Sequence, residues 1–226
     1  VAEIGAAQVK QLREMTGAGM MDCKRALTEA GGDVEKAKDW LRQKGMARAQ
    51  DKAGRTASDG IIEAYLHSPG GAPPKQGALL ELNCESDFVA KTDDFRALAR
   101  ELALQVVGAR PRWVRREEIP AEIVEREKAI YRAQVADKPA NIVEKIVDGK
   151  LEAFYSEVCL VDQVWVKDER RRKKVGELVT EATARLGEKV SVARFARFEV
   201  GEVAEGAEGG QAGDGGGNGA VAPSES

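Results

Sequence analysis

Apolar residues recur at helical spacing through most of this chain and change to short apolar or alternating runs at three places, which predicts helices packed on a small sheet. Ile4, Val9, Leu12 and Met15 share one face of a first helix that Thr16-Gly17-Ala18-Gly19 interrupts. Met20, Cys23, Leu27 and Ala30 stripe a second helix ending at Gly31-Gly32. Asp33 is placed to cap a third, striped by Val34, Ala37, Trp40 and Leu41. Three short helices make a bundle near the lower size limit for independent stability, so the first fifty-odd residues read as a semi-independent recognition module. The adjacent Met20 and Met21 lie about 100° apart around a helix. Either one is core and the other an adaptable exposed contact, or both pack at the two edges of the apolar stripe. Gly45 to Thr56, rich in Ala, Lys and Arg, reads as a connecting helix or linker.

Gly60 to His67 is β-branched and aromatic and reads as a strand. Ser68 to Gly77 holds three prolines and three glycines, which excludes helix and ladder alike, and Ala78 to Leu82 is the short apolar second arm of a hairpin. Beyond it, Phe95, Leu98, Ala99, Leu102 and Val106 define a helix that should cover one sheet face. Pro120 opens another helix (Ile123, Val124, Ile130, Tyr131), with Glu127 intruding on its apolar side. Pro139 opens a third (Val143, Val147, Leu151, Phe154, Val158), where Gly149 suggests a kink or a close approach. A fourth carries Val175, Leu178, Val179, Ala182 and Leu186 and is read as beginning within the basic run Arg170 to Lys174. Positive charge there opposes the helix dipole. Nucleic-acid contact is the sharp reading of that run, and a solvated helix face is the preferred one. Val190 to Val200 supplies the third strand, and the Gly-rich acidic tail from about Gly206 is expected to be disordered.

One stretch stands apart. After the strand at Ala78 to Leu82, Asn83-Cys84-Glu85-Ser86-Asp87 has turn chemistry, and Ser86 and Asp87 are good helix caps. Phe88 follows at a point where chains come to the surface. It either staples the helix entry, which the local sequence favours, or is presented to a partner.

Composition narrows the class. The 226 residues are 42% hydrophobic and 32% charged, ordinary for a soluble protein of one large or two modest domains. Net charge is −3, but residues 201–226 hold five acids and no Lys or Arg, and removing those five negative charges leaves the rest near +2. Such a body is no nucleic-acid binder by charge alone. The N-terminus shows no signal- or transit-peptide pattern and no stretch fits a membrane span. Cys23, Cys84 and Cys159 are odd in number and far apart, against a disulfide framework or a zinc site, so a reducing cytoplasm is expected. His67, the only histidine, reads as a surface residue. No phosphate-binding loop, dinucleotide fingerprint, H-E-x-x-H or G-x-S-x-G is present. The residues favour a binding protein over an enzyme, with no cofactor or metal expected.

Two signatures and a closing strand then resemble a known family. Thr16-Gly-Ala-Gly-Met-Met-Asp-Cys-Lys-Arg-Ala-Leu27 and Leu82-Asn-Cys-Glu-Ser-Asp-Phe-Val-Ala-Lys91 resemble the two signatures of elongation factor Ts, and Arg194-Phe-Ala-Arg-Phe-Glu-Val-Gly201 is similar to its last strand. The likeness covers about residues 3 to 202 in order. It implies a guanine-nucleotide exchange factor for elongation factor Tu, with a UBA-like N-terminal module and an α+β core. It also implies that the tip Ser86, Asp87, Phe88 and Val89 enters the GTPase near its Mg²⁺, Phe88 as an apolar wedge and Asp87 as a polar group beside the metal. Arg13, Met20 and Met21 match module positions that touch the same domain, which moves the two methionines toward contact.

The sequence departs from the family pattern in three ways. Ser86 stands for the usual Thr, so capping is expected to survive. Gln105 stands where a His is common, which leaves any role of that imidazole in doubt here. Only one core half is present, without the coiled-coil insertion of long members. The expected organisation is a helical module at 1–52, a core at 53–202 with helices on a three-stranded antiparallel sheet, and a tail at 203–226. A lone half leaves sheet surface uncovered, so a homodimer binding two elongation factor Tu molecules is expected. The rival reading is an RNA-binding translation accessory protein using residues 170–174.

Overall fold

A computed structural model describes residues 4–202. The tail expected to be disordered lies outside the described residues. The chain folds as helices packed on one small antiparallel sheet, as the pattern predicts, in the order α1 (Ala6–Thr16), α2 (Met20–Glu29), α3 (Val34–Lys52), β1 (Asp59–His67), β2 (Gln76–Cys84), α4 (Asp87–Ala90), α5 (Asp93–Ala109), α6 (Ala121–Gln134), α7 (Ala140–Val158), α8 (Val175–Leu186) and β3 (Ser191–Glu199).

The first three helices bury Leu12, Cys23, Ala26, Leu27 and Ala37 in a core of their own. Met15 remains half exposed at the edge of the expected stripe. Asp33 caps α3 as expected, accepting from the backbone N–H groups of Glu35 and Lys36. The connecting segment from Gly45 is no separate element. It is the second half of α3, whose 19 residues run without interruption out of the small core. That half crosses α8 so closely that a Cβ at Gly45 would stand 3.0 Å from Ala184 Cβ.

The sheet order is β1-β2-β3, antiparallel throughout. Its central strand is longer than the apolar run suggests. Asn83 and Cys84 have turn chemistry, yet each is paired: Asn83 lies between Gly60 and Ser191, and Cys84 opposite Asp59. Ladder pairing, on both sides for Asn83 and on the β1 side for Cys84, overrides local preference. Alternation then decides what each face meets. Leu80, Leu82 and Cys84 point inward against Phe95, Ala99 and Leu102 of α5, forming the main core. Ile62, Leu66, Leu79 and Phe198 lie on the opposite face and are exposed.

Three expectations change. Gly149 lies in a continuous α7 with open space around its Cα, so it marks neither a kink nor a close approach. No apolar residue of α6 is fully buried, because this helix packs against α7 and not the sheet; Ile123 and Val124 instead lie partly buried against Ile119, Val158 and Cys159. Arg170 to Lys174 is not the first turn of α8 but the loop before it, in which the Asp168 carboxylate accepts from the backbone N–H groups of Arg170, Arg172 and Lys173. The charge opposed to the dipole is therefore held outside the helix.

Candidate functional site

The end of β2 leads through Glu85 and Ser86 into α4, a single helical turn. The turn is anchored from below. Val89 and Ala90 are buried in the main core, and the Cys84 thiol donates to the Ser86 carbonyl at 3.1 Å. With Val89 facing in, the helical period turns Phe88 outward, and its side chain is 81% exposed. The local reading of Phe88 as a staple is overturned: α4 is too short to offer an apolar residue a turn later for the ring to cover. Asp87 is also exposed. Its carboxylate takes a hydrogen bond from Lys91 Nζ at 2.6 Å, which is the main reason its pKa falls below the ordinary aspartate value. The two charges sit at the helix ends where each complements the dipole.

Ser86 occupies the cap position of α4, but its hydroxyl does not cap the helix. It donates instead to Glu188 Oε1 at 2.5 Å, while Glu188 Oε2 accepts from the backbone N–H groups of Glu85 and Ser86 at 3.1 and 2.9 Å. Glu85 answers in kind, its carboxylate accepting from the Lys189 backbone N–H at 2.6 Å, which with Arg55 nearby lowers its pKa. The capping expectation fails because a carboxylate from the α8–β3 turn is a stronger acceptor for the hydroxyl than anything α4 offers. Glu188 and Arg55 carry no local signal of this role. They are 102 and 31 residues from Ser86, and only the fold brings them to it.

On the helical module, Arg13, Met20 and Met21 are all exposed. Met20 at 46% and Met21 at 71% pack at neither edge of the α2 stripe, since Cys23, Ala26 and Leu27 already fill that core. They start α2 directly after Gly19, on a helix that an Asp22–Arg48 ion pair ties to α3.

The remaining candidates are quiet. His67 ends β1 exposed, with its Nδ1 3.1 Å from the Tyr65 hydroxyl. All three cysteines are buried, and burial pushes their thiols up, that of Cys159 to about 11, which keeps them protonated and unreactive. Gln105 is fully buried, donating to Gln163 Oε1 and the Val164 carbonyl and accepting from Val166 N–H. It serves as a structural tie between α5 and the segment ahead of the basic loop. Within that loop, Lys173 pairs with Glu181 and Lys174 reaches Asp162. Among the described residues no three His, Cys, Asp or Glu side chains converge to hold a metal ion, and no helix is long and apolar enough to cross a membrane.

Fold and site together define an α+β protein that presents a braced acidic-aromatic finger at its surface. The comparisons with known proteins agree with the two signatures. The family model described as Elongation factor TS matches residues 45–202. Elongation factor Ts of Thermotoga petrophila is 56% identical over 193 residues, 85% of this chain and 94% of its own. Those of Anaeromyxobacter dehalogenans and Desulforamulus reducens are each 53% identical, covering 87% and 86% of this chain and 88% of their own. The chain belongs to the elongation factor Ts family.

Proposed function

We propose that this chain is the guanine-nucleotide exchange factor of elongation factor Tu in the cytoplasm, and that its finger is the part that loosens the bound nucleotide. An exchange factor performs no bond chemistry. It binds the nucleotide-free GTPase better than the loaded one, and linkage requires nucleotide and factor to weaken each other's binding equally. A GTPase holds GDP through a phosphate-binding loop and Mg²⁺, so the effective place to act is beside that ion. The observation that carries the reading is Phe88, a large ring held in water on a turn braced from below. Such a ring has a site waiting in a partner, where it wedges apart apolar packing. Asp87 travels with it and brings negative charge to the surroundings of the metal, while Val89 anchors the turn. Arg13, Met20 and Met21 form the second contact on the same GTPase domain, with residues 1–52 as the recognition module, 53–202 as the core, and α3 as the strut between them.

The outer sheet face supports a homodimer that takes two elongation factor Tu molecules. Ile62, Leu66, Leu79 and Phe198 lie together on three adjacent strands, and Leu66 packs over Gly77, where a Cβ would come within 2.7 Å of it. An apolar sheet face of this kind matches a second copy related by a two-fold axis. The RNA-binding alternative loses support, since the backbone of the basic loop is bound to Asp168 and two of its lysines are engaged in ion pairs.

Adding the purified chain to elongation factor Tu loaded with labelled GDP, in the presence of excess unlabelled nucleotide, tests the reading. Label release accelerated well above the spontaneous rate, and insensitive to ribonuclease, is expected. Release at the spontaneous rate would refute it.

A further inference from the structure

Two stretches a hundred residues apart hold each other reciprocally at the base of the finger. The Glu188 carboxylate accepts three hydrogen bonds from Glu85 and Ser86, and the Glu85 carboxylate accepts the Lys189 backbone N–H. The end of α3 closes the same knot. Arg55 Nη1 donates to Glu85 at 3.3 Å, Lys189 Nζ donates to the Arg55 carbonyl, and Lys52 Nζ donates to the Gly187 carbonyl, the last two at 2.6 Å. Ser86 is the residue immediately before the exposed Asp87 and Phe88. Its backbone N–H and hydroxyl are both committed to Glu188, so the direction in which the chain leaves β2 depends on one carboxylate from a turn 102 residues further along the chain.

We propose that Glu188 is a positioning residue for nucleotide exchange: it fixes the finger's exit angle so that Phe88 arrives ready-oriented at the partner's nucleotide site. This rests on the exchange reading above. The physical reason is preorganisation. A four-residue helix has no stability of its own, and a finger that must be ordered during insertion loses part of its interaction energy to that ordering. Glu188 does not touch the partner. It acts through Ser86, and its loss is felt in the step where the finger is inserted more than in the first docking, which the module supports independently.

Glutamine is the informative substitution. Its carbonyl oxygen keeps the two backbone N–H groups, and its amide N–H₂ donates to the Ser86 hydroxyl with that partner's role reversed, so Glu188→Gln preserves the hydrogen bonds while removing the charge. Glu188→Ala leaves all three donors without their acceptor. Full-length wild type, E188Q and E188A should be compared in GDP release from elongation factor Tu across a range of factor concentrations, alongside amide hydrogen exchange of the free chain. E188A is expected to lose Glu85 and Ser86 amide protection and to lower the maximal release rate on the order of tenfold, with the half-saturating concentration changed by no more than about twofold. E188Q is expected to remain within about threefold of wild type in both measurements. Equal maximal rates for E188A and wild type would overturn the proposal, as would E188Q falling as far as E188A. If wild type itself fails to release GDP, the exchange reading falls, while the exchange of the Glu85 and Ser86 amides still judges the clamp.

Discussion

Arg48 grips Asp22 through both terminal guanidinium nitrogens, at 2.8 and 3.0 Å, and so ties the helix that carries Met20 and Met21 to the long strut α3. The hydrogen bond from Arg48 is the largest of the influences that hold the Asp22 carboxyl below its ordinary value of 3.8. A carboxylate whose pKa is depressed by folding contributes stability that is complete above its ordinary pKa and is lost as pH falls through the depressed one. Replacing Arg48 by Met keeps the aliphatic stem and removes the fork. At pH 7 we expect R48M to be less stable than wild type by about 0.5–1 kcal/mol, because Arg48 is half exposed and water screens the pair. That difference should shrink as pH falls below about 4 and through the depressed pKa, once Asp22 is protonated in both proteins. Urea unfolding at a series of pH values checks it, and a gap independent of pH would show that the pair does not act as described.

The fully buried Gln105 side chain makes three hydrogen bonds. Leucine at this position has similar volume but leaves the Val166 N–H, the Val164 carbonyl and the Gln163 amide without the partners they have now. We expect Q105L to cost about 2–4 kcal/mol, the range for stranding buried polar groups. A thermal melt unchanged from wild type would contradict this.

The exposed sheet face makes a prediction about mass. If a second copy covers it, light scattering at micromolar concentration should give twice the chain mass of 24.4 kDa. Phe198→Glu, which puts a charge into that apolar face, should give the single-chain mass with the far-ultraviolet circular dichroism retained. A wild-type monomer would remove the dimer from the account.

Much of the fold was legible because apolar spacing reports directly on which face is buried. The stripes Leu12, Cys23, Leu27 and Phe95, Leu98, Leu102 lie in the cores their period predicts. Misreadings fall where long-range pairing overrules local chemistry. Asn83 is strand because β1 and β3 flank it, and Cys84 because β1 pairs with it; the segment from Gly45, read as a connecting helix or linker, is helical but continues α3 and is no separate element. The finger shows both sides of this rule. Its tip could be picked out as a capping pattern followed by an aromatic residue, whereas its brace could not, since no local pattern joins Ser86 to Glu188. The outward direction of Phe88 was likewise undecidable from the sequence around it, because it follows from Val89 being taken into the core.

The central claim is that Phe88 acts in the partner and not in this chain. At 81% exposure its ring contributes little to folding, so Phe88→Ala should leave the melting temperature unchanged. Stopped-flow release of fluorescent GDP from elongation factor Tu, at saturating wild-type or F88A factor, measures the claim most directly. The account predicts a maximal release rate reduced by about tenfold or more in F88A, the loss of a buried aromatic anchor at an interface. Equal rates for the two folded proteins would contradict it.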